Sequence, residues 1–137
     1  MKKVAILGST GSIGCSTLSV IEANSDLFSV SLLAAESNSE LILKQGKNFN
    51  SKYFYLNNEF ASNHLNSQIN SLKLDSKVLN EEDYLNFIAS DEVDIVVAGI
   101  VGVAGLKPIY RALCSGKRVL LANKEAYVVA GELLNQM

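Results

Sequence analysis

Three stretches of this chain carry residue types suited to chemistry. The first is Gly8-Ser9-Thr10-Gly11-Ser12-Ile13-Gly14, which follows the apolar run Val4 to Leu7. It reads as a strand, a glycine-rich turn and the opening of a helix. Glycine has no Cβ, so the backbone turns sharply there and approaches a ligand closely. The free N–H groups of the helix's first turn then point at that ligand, and the helix dipole favours a negative charge. Phosphate or pyrophosphate suits such a turn. The spacing G-x-x-G-x-x-G is a variant of the G-x-G-x-x-G fingerprint, and no Gly-Lys-Ser/Thr follows at P-loop spacing. A purely structural turn is the competing reading. The second stretch is Glu36-Ser37-Asn38, after the apolar Val30 to Ala35. The third is Asn123-Lys124-Glu125, after Arg118 to Ala122. Taken alone, the third reads equally as a helix start, with Asn capping and Glu complementing the dipole.

The elements that must position these stretches follow from periodicity. Val4–Leu7, Val30–Ala35, Tyr53–Leu56, Val93–Ala98 and Arg118–Ala122 read as buried strands, with a short one at Lys77–Leu79. Near-continuous apolar runs mark strands covered on both faces, as in a parallel sheet. Helical spacing joins Gly14, Thr17, Leu18 and Ile21, and Gly14 lets that helix pack closely on its strand. Asn38 or Ser39 starts a helix through Lys47, and Ala61, Leu65, Ile69 and Leu72 form an amphipathic stripe. Asn80 and Asp83 resemble a capping box before Tyr84, Leu85 and Ile88. A second glycine-rich loop, Gly99 to Gly105, precedes a helix that has Pro108 in its first turn, carries Ile109, Ala112 and Leu113 and stops near Gly116. A last helix carries Ala126, Val129, Ala130 and Leu133. Strand and helix alternate throughout, which predicts an α/β fold with a doubly wound, mostly parallel, Rossmann-like sheet. Ligands of such sheets bind at the carboxyl ends of the strands, where residues 8–14, 36–38, 99–105 and 123–125 fall.

The chain has 137 residues, one domain by size, with 48% hydrophobic and 19% charged residues and a net charge of -2. That balance gives no reason to expect nucleic acid, and no stripe of Lys and Arg suggests it. Cys15 and Cys114 stand apart without a CxxC, as reduced cytosolic thiols do. No run suits a membrane span, and the cytoplasm is the expected compartment. His64, the single histidine, sits beside an apolar stripe with no acid or nucleophile placed near it, which fits packing or surface better than catalysis.

GSTGSIG at 8–14, AGIVGVAGL at 98–106 and LANKE at 121–125 together resemble the amino-terminal domain of the 1-deoxy-D-xylulose 5-phosphate reductoisomerase family. The resemblance covers essentially the whole chain. It implies an NADPH-dependent enzyme that rearranges 1-deoxy-D-xylulose 5-phosphate and reduces the product to 2-C-methyl-D-erythritol 4-phosphate, an isoprenoid precursor, with Mg or Mn assisting. By the same resemblance Thr10, Gly11, Ser12 and Ile13 hold the cofactor pyrophosphate. Glu36, Ser37 and Asn38 lie near the ribose and its 2′-phosphate, Asn123 and Glu125 contact the cofactor, and Lys124 contacts the phosphorylated sugar substrate. No catalytic residue and no metal ligand is assigned within these 137 residues. A homodimer is implied for the full-length enzyme.

Two departures stand out. Glu36 falls where the family commonly has glycine. An acidic residue after the second strand is the usual NAD signal, because it accepts from the ribose 2′-hydroxyl. It also repels a 2′-phosphate: two unit charges ~4 Å apart interact by about 4 kcal/mol at an effective dielectric of ~20, before screening. Either Glu36 turns to solvent or the preference for NADPH is weakened; the whole-chain resemblance favours NADPH. Second, the sequence stops at Met137, before the family's metal-binding carboxylates and its catalytic and carboxyl-terminal domains. The expectation is a cofactor domain over 1–137 that is a fragment, inactive alone. Two other readings remain at this stage. One is an oxidoreductase of semialdehyde dehydrogenase type, which needs a catalytic Cys where Cys114 lies in a helical pattern. The other is a non-catalytic nucleotide-binding regulatory module.

Overall fold

The apolar runs lie side by side in one sheet. The computed structural model describes residues 1–99 and 105–121. In chain order the elements are β1 (Lys2–Leu7), α1 (Ser12–Ala23), β2 (Phe28–Ala35), α2 (Ser39–Phe49), β3 (Tyr53–Leu56), α3 (Glu59–Ser71), β4 (Lys77–Val78), α4 (Glu81–Ala89), β5 (Ile95–Ala98), α5 (Leu106–Cys114) and β6 (Arg118–Leu121). The strand order is β4-β3-β2-β1-β5-β6, and every pairing is parallel. The α/β, doubly wound expectation holds among the described residues. The anticipated helix over 126–133 lies outside them.

Side-chain alternation divides the core into two layers. Val4 and Ile6 of β1 face a layer built from α1, α2 and α3, where Leu18, Ile21, Ile42, Leu65 and Ile69 are buried. Ala5 and Leu7 face the other layer, with Tyr84 and Ile88 of α4 and Ala112 of α5. An irregularity in β2 keeps this division intact. Val4 pairs with Val30, but Ala5 pairs with Leu32, so Ser31 is the extra residue. That one-residue shift puts Val30 on the same face as Leu33 and Ala35 rather than Leu32 and Ala34.

Helix starts follow side-chain chemistry. Asn38, Asn58 and Asn80 each accept from the backbone N–H three residues on, at 3.1, 2.9 and 2.8 Å. Boundaries differ from the sequence reading in places. β1 and β2 begin two residues earlier than expected, and α2 runs on to Phe49 before Asn50 closes it in a left-handed conformation, φ 54°. β5 starts at Ile95, not Val93, because Asp94 holds the Lys3 backbone N–H with its carboxylate at 2.8 Å. Leu72 does not extend the buried stripe of α3: it is the helix's exposed C-cap. Leu113 is likewise exposed; the inner face of α5 is Pro108 and Ala112. The amphipathic pattern of α5 therefore leaves Leu106, Tyr110 and Leu113 outside.

Candidate functional site

Strand order reverses at β1: the chain winds outward through β2 and β3, then returns to lay β5 on the other side. The helices after β1 and β5 consequently leave from opposite faces of the sheet, which opens a crevice at the carboxyl ends of these strands. A cavity of about 720 Å³ occupies it. Its floor is Gly8, Thr10 and Gly11 after β1, Ala34, Ala35 and Glu36 at the end of β2, and Gly99 after β5. Tyr55, Asn57 and Tyr84 form one wall, and the first turn of α5, Leu106 to Pro108, forms another. A hollow of about 790 Å³ lies at the amino ends of the strands, beside Ser29, Asn48 and Phe87. Helices end rather than begin there, so carbonyls instead of helix N–H groups face it.

The glycine turn is fixed by its backbone. Gly8 takes φ 85°, a left-handed conformation suited to glycine. The N–H groups of Gly8 and Ser9 both donate to the Ala34 carbonyl, at 2.7 and 3.0 Å. Gln45 of α2 donates to the Ser9 carbonyl at 2.8 Å from the buried side. Gly14 permits the close approach that its position suggested. A Cβ there would stand 2.3 Å from the Gly8 carbonyl oxygen and 2.5 Å from Ser9 Cα, all backbone that cannot step aside. The turn is thus pressed between β2 and α1, and α1 opens straight onto the cavity.

Charge at the helix starts follows the same division. α2, α3 and α4 have Asn caps and acidic first turns. α1 and α5 start at Gly11 and Gly105 with no side-chain cap and no acidic residue in the first turn. Those two uncapped starts border the cavity, so their N–H groups remain for an incoming anion. A cavity of this size with an apolar wall and donors at one end fits a dinucleotide: the volume lies within the roughly 300–1,000 Å³ of small-molecule sites.

The wall is aromatic. Tyr55 and Tyr84 stack with ring centroids 4.0 Å apart and planes 1° from parallel. Burial pushes the Tyr84 hydroxyl well above the usual tyrosine range, with Tyr55 adding to it. Tyr55 is raised too, by burial first and then by the carboxylates of Glu81 and Glu36. Glu81 pairs with Lys107 at 3.2 Å across the mouth, and Glu36 Oε2 accepts from Asn57 Nδ2 at 3.1 Å.

A sequence model of the 1-deoxy-D-xylulose 5-phosphate reductoisomerase family matches residues 4–131. The chain belongs to this family. A 1-deoxy-D-xylulose 5-phosphate reductoisomerase of Proteus mirabilis is 45% identical over 134 residues, which are 97% of this chain and 34% of that protein. One of Psychromonas ingrahamii is 46% identical over 134 residues, with the same coverage. The chain therefore spans about a third of the length of the curated relatives it matches. Among solved structures, a DOX-P reductoisomerase in complex with NADPH, fosmidomycin and magnesium superposes with a TM-score of 0.83 at 34% identity, over 99% of this chain and 33% of that one. The Zymomonas mobilis reductoisomerase in complex with NADPH gives 0.77 at 34% identity, over 98% and 35%.

In this member of the family Thr10, Gly11 and Glu36 line the cavity. Ser12 is exposed in the first turn of α1, and Ile13 packs against the core beside Gly99, leaving its backbone N–H as the group it can offer a ligand. Ser37 and Asn38 sit just past Glu36 and do not line the cavity; the Asn38 side chain is engaged as the cap of α2. Asn123, Lys124 and Glu125 lie outside the described residues. His64 is exposed on α3, and Cys15 and Cys114 are exposed thiols. Sequence reasoning missed Tyr55, Asn57, Glu81, Tyr84 and Lys107. Tyr55 and Asn57 carried a faint signal, alternating with buried Phe54 and Leu56 at the end of β3. Tyr84 lies 29 positions from Tyr55, and only the path of α4 across the sheet stacks them. Among the described residues no group of three or more His, Cys, Asp and Glu is placed to hold a metal ion. No described helix is long and apolar enough to cross a membrane.

Proposed function

We propose that residues 1–137 form the NADPH-binding domain of a reductoisomerase that converts 1-deoxy-D-xylulose 5-phosphate to 2-C-methyl-D-erythritol 4-phosphate. The observation that carries this reading is the cavity at the β1/β5 switch point, bordered by two helix starts that no side chain caps. Family membership and the NADPH complexes of related structures support the choice of ligand. The backbone N–H groups of Gly11, Ser12 and Ile13 and the Thr10 hydroxyl would hold the pyrophosphate. Ala34, Tyr55 and Tyr84 offer an apolar surface for the adenosine half, with Glu36, Ser37 and Asn38 towards its ribose. Asn123 and Glu125 would contact the cofactor, and Lys124, a mobile cation, the phosphorylated substrate. When bound, NADPH supplies a hydride, while the protein supplies binding and orientation. Divalent-metal ligands, the remainder of the substrate site and a homodimer contact belong to the rest of the enzyme, which would work in the cytoplasm and without nucleic acid.

Gly11→Asp tests the reading directly. Gly11 has N-cap geometry, φ -79° and ψ 175°, and a Cβ there would meet only the Gly8 carbonyl at an ordinary 3.5 Å. Asp is a favourable cap, so the variant should fold at least as stably. Its carboxylate would meet the pyrophosphate at close range. NADPH affinity, followed by nicotinamide fluorescence, should fall at least about tenfold. Unchanged affinity in a folded variant would place the nucleotide elsewhere.

A further inference from the structure

The rim of the cavity beside β2 carries a carboxylate with a defined direction. Glu36 is exposed, yet it does not swing away into solvent. Its Oε2 accepts from Asn57 Nδ2 at 3.1 Å, and Asn57 follows directly on β3, the strand that lies beside β2. The two loops are also tied through their backbones, with Asn57 N–H on the Ala35 carbonyl at 3.1 Å and Asn58 N–H on the Glu36 carbonyl at 2.9 Å. Glu36, Tyr55 and Asn57 line the same cavity, and the Glu36 carboxylate adds, after burial and Glu81, to the upward shift of the Tyr55 hydroxyl. Among the described residues the only basic side chain lining the cavity is Lys107, and it already pairs with Glu81. Position 37, next to the carboxylate, is Ser.

A 2′-phosphate at this rim would meet a fixed negative charge and no lining cation, whereas a 2′-hydroxyl would find an acceptor. Resting on the NADPH-domain reading above, we infer that Glu36, held by Asn57, is a specificity-determining residue that weakens selection for the 2′-phosphate and admits NADH to the same site. Glu36 is the ribose acceptor and Asn57 the positioning residue. Repulsion at the rim acts on NADPH alone, so its signature is the ratio of the two affinities and not either affinity by itself.

The test is a set of fluorescence titrations of the full chain with NADPH and with NADH, and competition by 2′,5′-ADP and 5′-AMP, at low and at physiological salt. Glu36→Gln should raise the preference for NADPH over NADH by about tenfold at low salt, with a smaller gain at physiological salt because the charge is exposed. The 2′,5′-ADP to 5′-AMP ratio should move in parallel. Asn57→Ala should move both ratios the same way by a lesser factor, since the carboxylate is then free to turn outward. A change in the NADPH to NADH ratio of less than about threefold for Glu36→Gln, at low salt, overturns the inference while leaving the cofactor reading intact. Loss of binding of both nucleotides by the unsubstituted chain overturns the cofactor reading and the inference with it.

Discussion

At the scale of single residues, the glycine turn and the tyrosine pair play opposite parts. Gly14 is required by contact, since its missing Cβ is the space that the Gly8 carbonyl and Ser9 occupy. Tyr84 is required by filling: it is 4% exposed, and its ring stacks on Tyr55 at the cavity wall. Burying a phenol favours its neutral form, so the folded protein holds the Tyr84 proton above the ordinary value of 10.0 while the unfolded chain releases it there. The sign of the linkage follows. The folded state binds more protons than the unfolded state once pH exceeds 10.0, so this contribution to stability is intact below that pH and declines above it. Lysines titrate in the same range, and the comparison of two proteins removes them. Urea unfolding midpoints of the parent chain and Tyr84→Phe should run parallel from pH 7 to 9.5, roughly, and depart from parallel above about pH 10, where the Phe variant loses less. Parallel curves throughout would show that the hydroxyl is solvated.

At the scale of elements, one amide side chain sets the start of each of α2, α3 and α4. Asn58 is the clearest to test, because it does not line the cavity. Replacing it by Ala removes the 2.9 Å bond to the Ala61 N–H and should cost about 1 kcal/mol. For a domain of this size that is a fall of about 3–5 °C in melting temperature. The starts of α2 and α4 were legible because capping is local: residue type, a three-residue step and the apolar pattern behind it suffice; the Asn58 cap of α3 follows the same rule but was not singled out in the sequence. The inner stripe Gly14, Thr17, Leu18 and Ile21 was legible for the same reason and is buried as expected. The ends of elements were less so. Leu72 and Leu113 continue helical patterns, but each is exposed, Leu72 as the C-cap of α3 and Leu113 one residue before the end of α5, and no local rule reports that. The site divides in the same way. Thr10, Gly11 and Glu36 sit in turns whose composition could be read from the chain; Asn57 follows β3 directly but joins the site because β3 pairs with β2, and Tyr84 and Lys107 reach it through crossovers. The Glu36–Asn57 bond spans 21 positions and exists because β2 and β3 are neighbours.

At the scale of the molecule, the cavity is a consequence of strand order. Parallel strands with right-handed crossovers place every strand's carboxyl end on one side, and the reversal at β1 separates the helices there. Elements from both core layers border the opening: α1 belongs to the layer containing Val4 and Ile6, and α4 and α5 to that containing Ala5 and Leu7. A ligand bridging them therefore stabilises the fold as a whole, and by mass action it does so by about 2.7 kcal/mol at a hundred times its dissociation constant. The melting temperature of the chain should then rise by about 10 °C with saturating NADPH. Divalent cations test where the proposed metal chemistry lies. The described residues include no group of three or more metal-ligating side chains. Mn²⁺ at millimolar concentration should accordingly leave the melting temperature of the free chain unchanged and add nothing to the shift produced by NADPH. Chelation with EDTA should be equally silent. A rise with Mn²⁺ alone would place a cation site within these 137 residues and move part of the proposed metal chemistry into this domain.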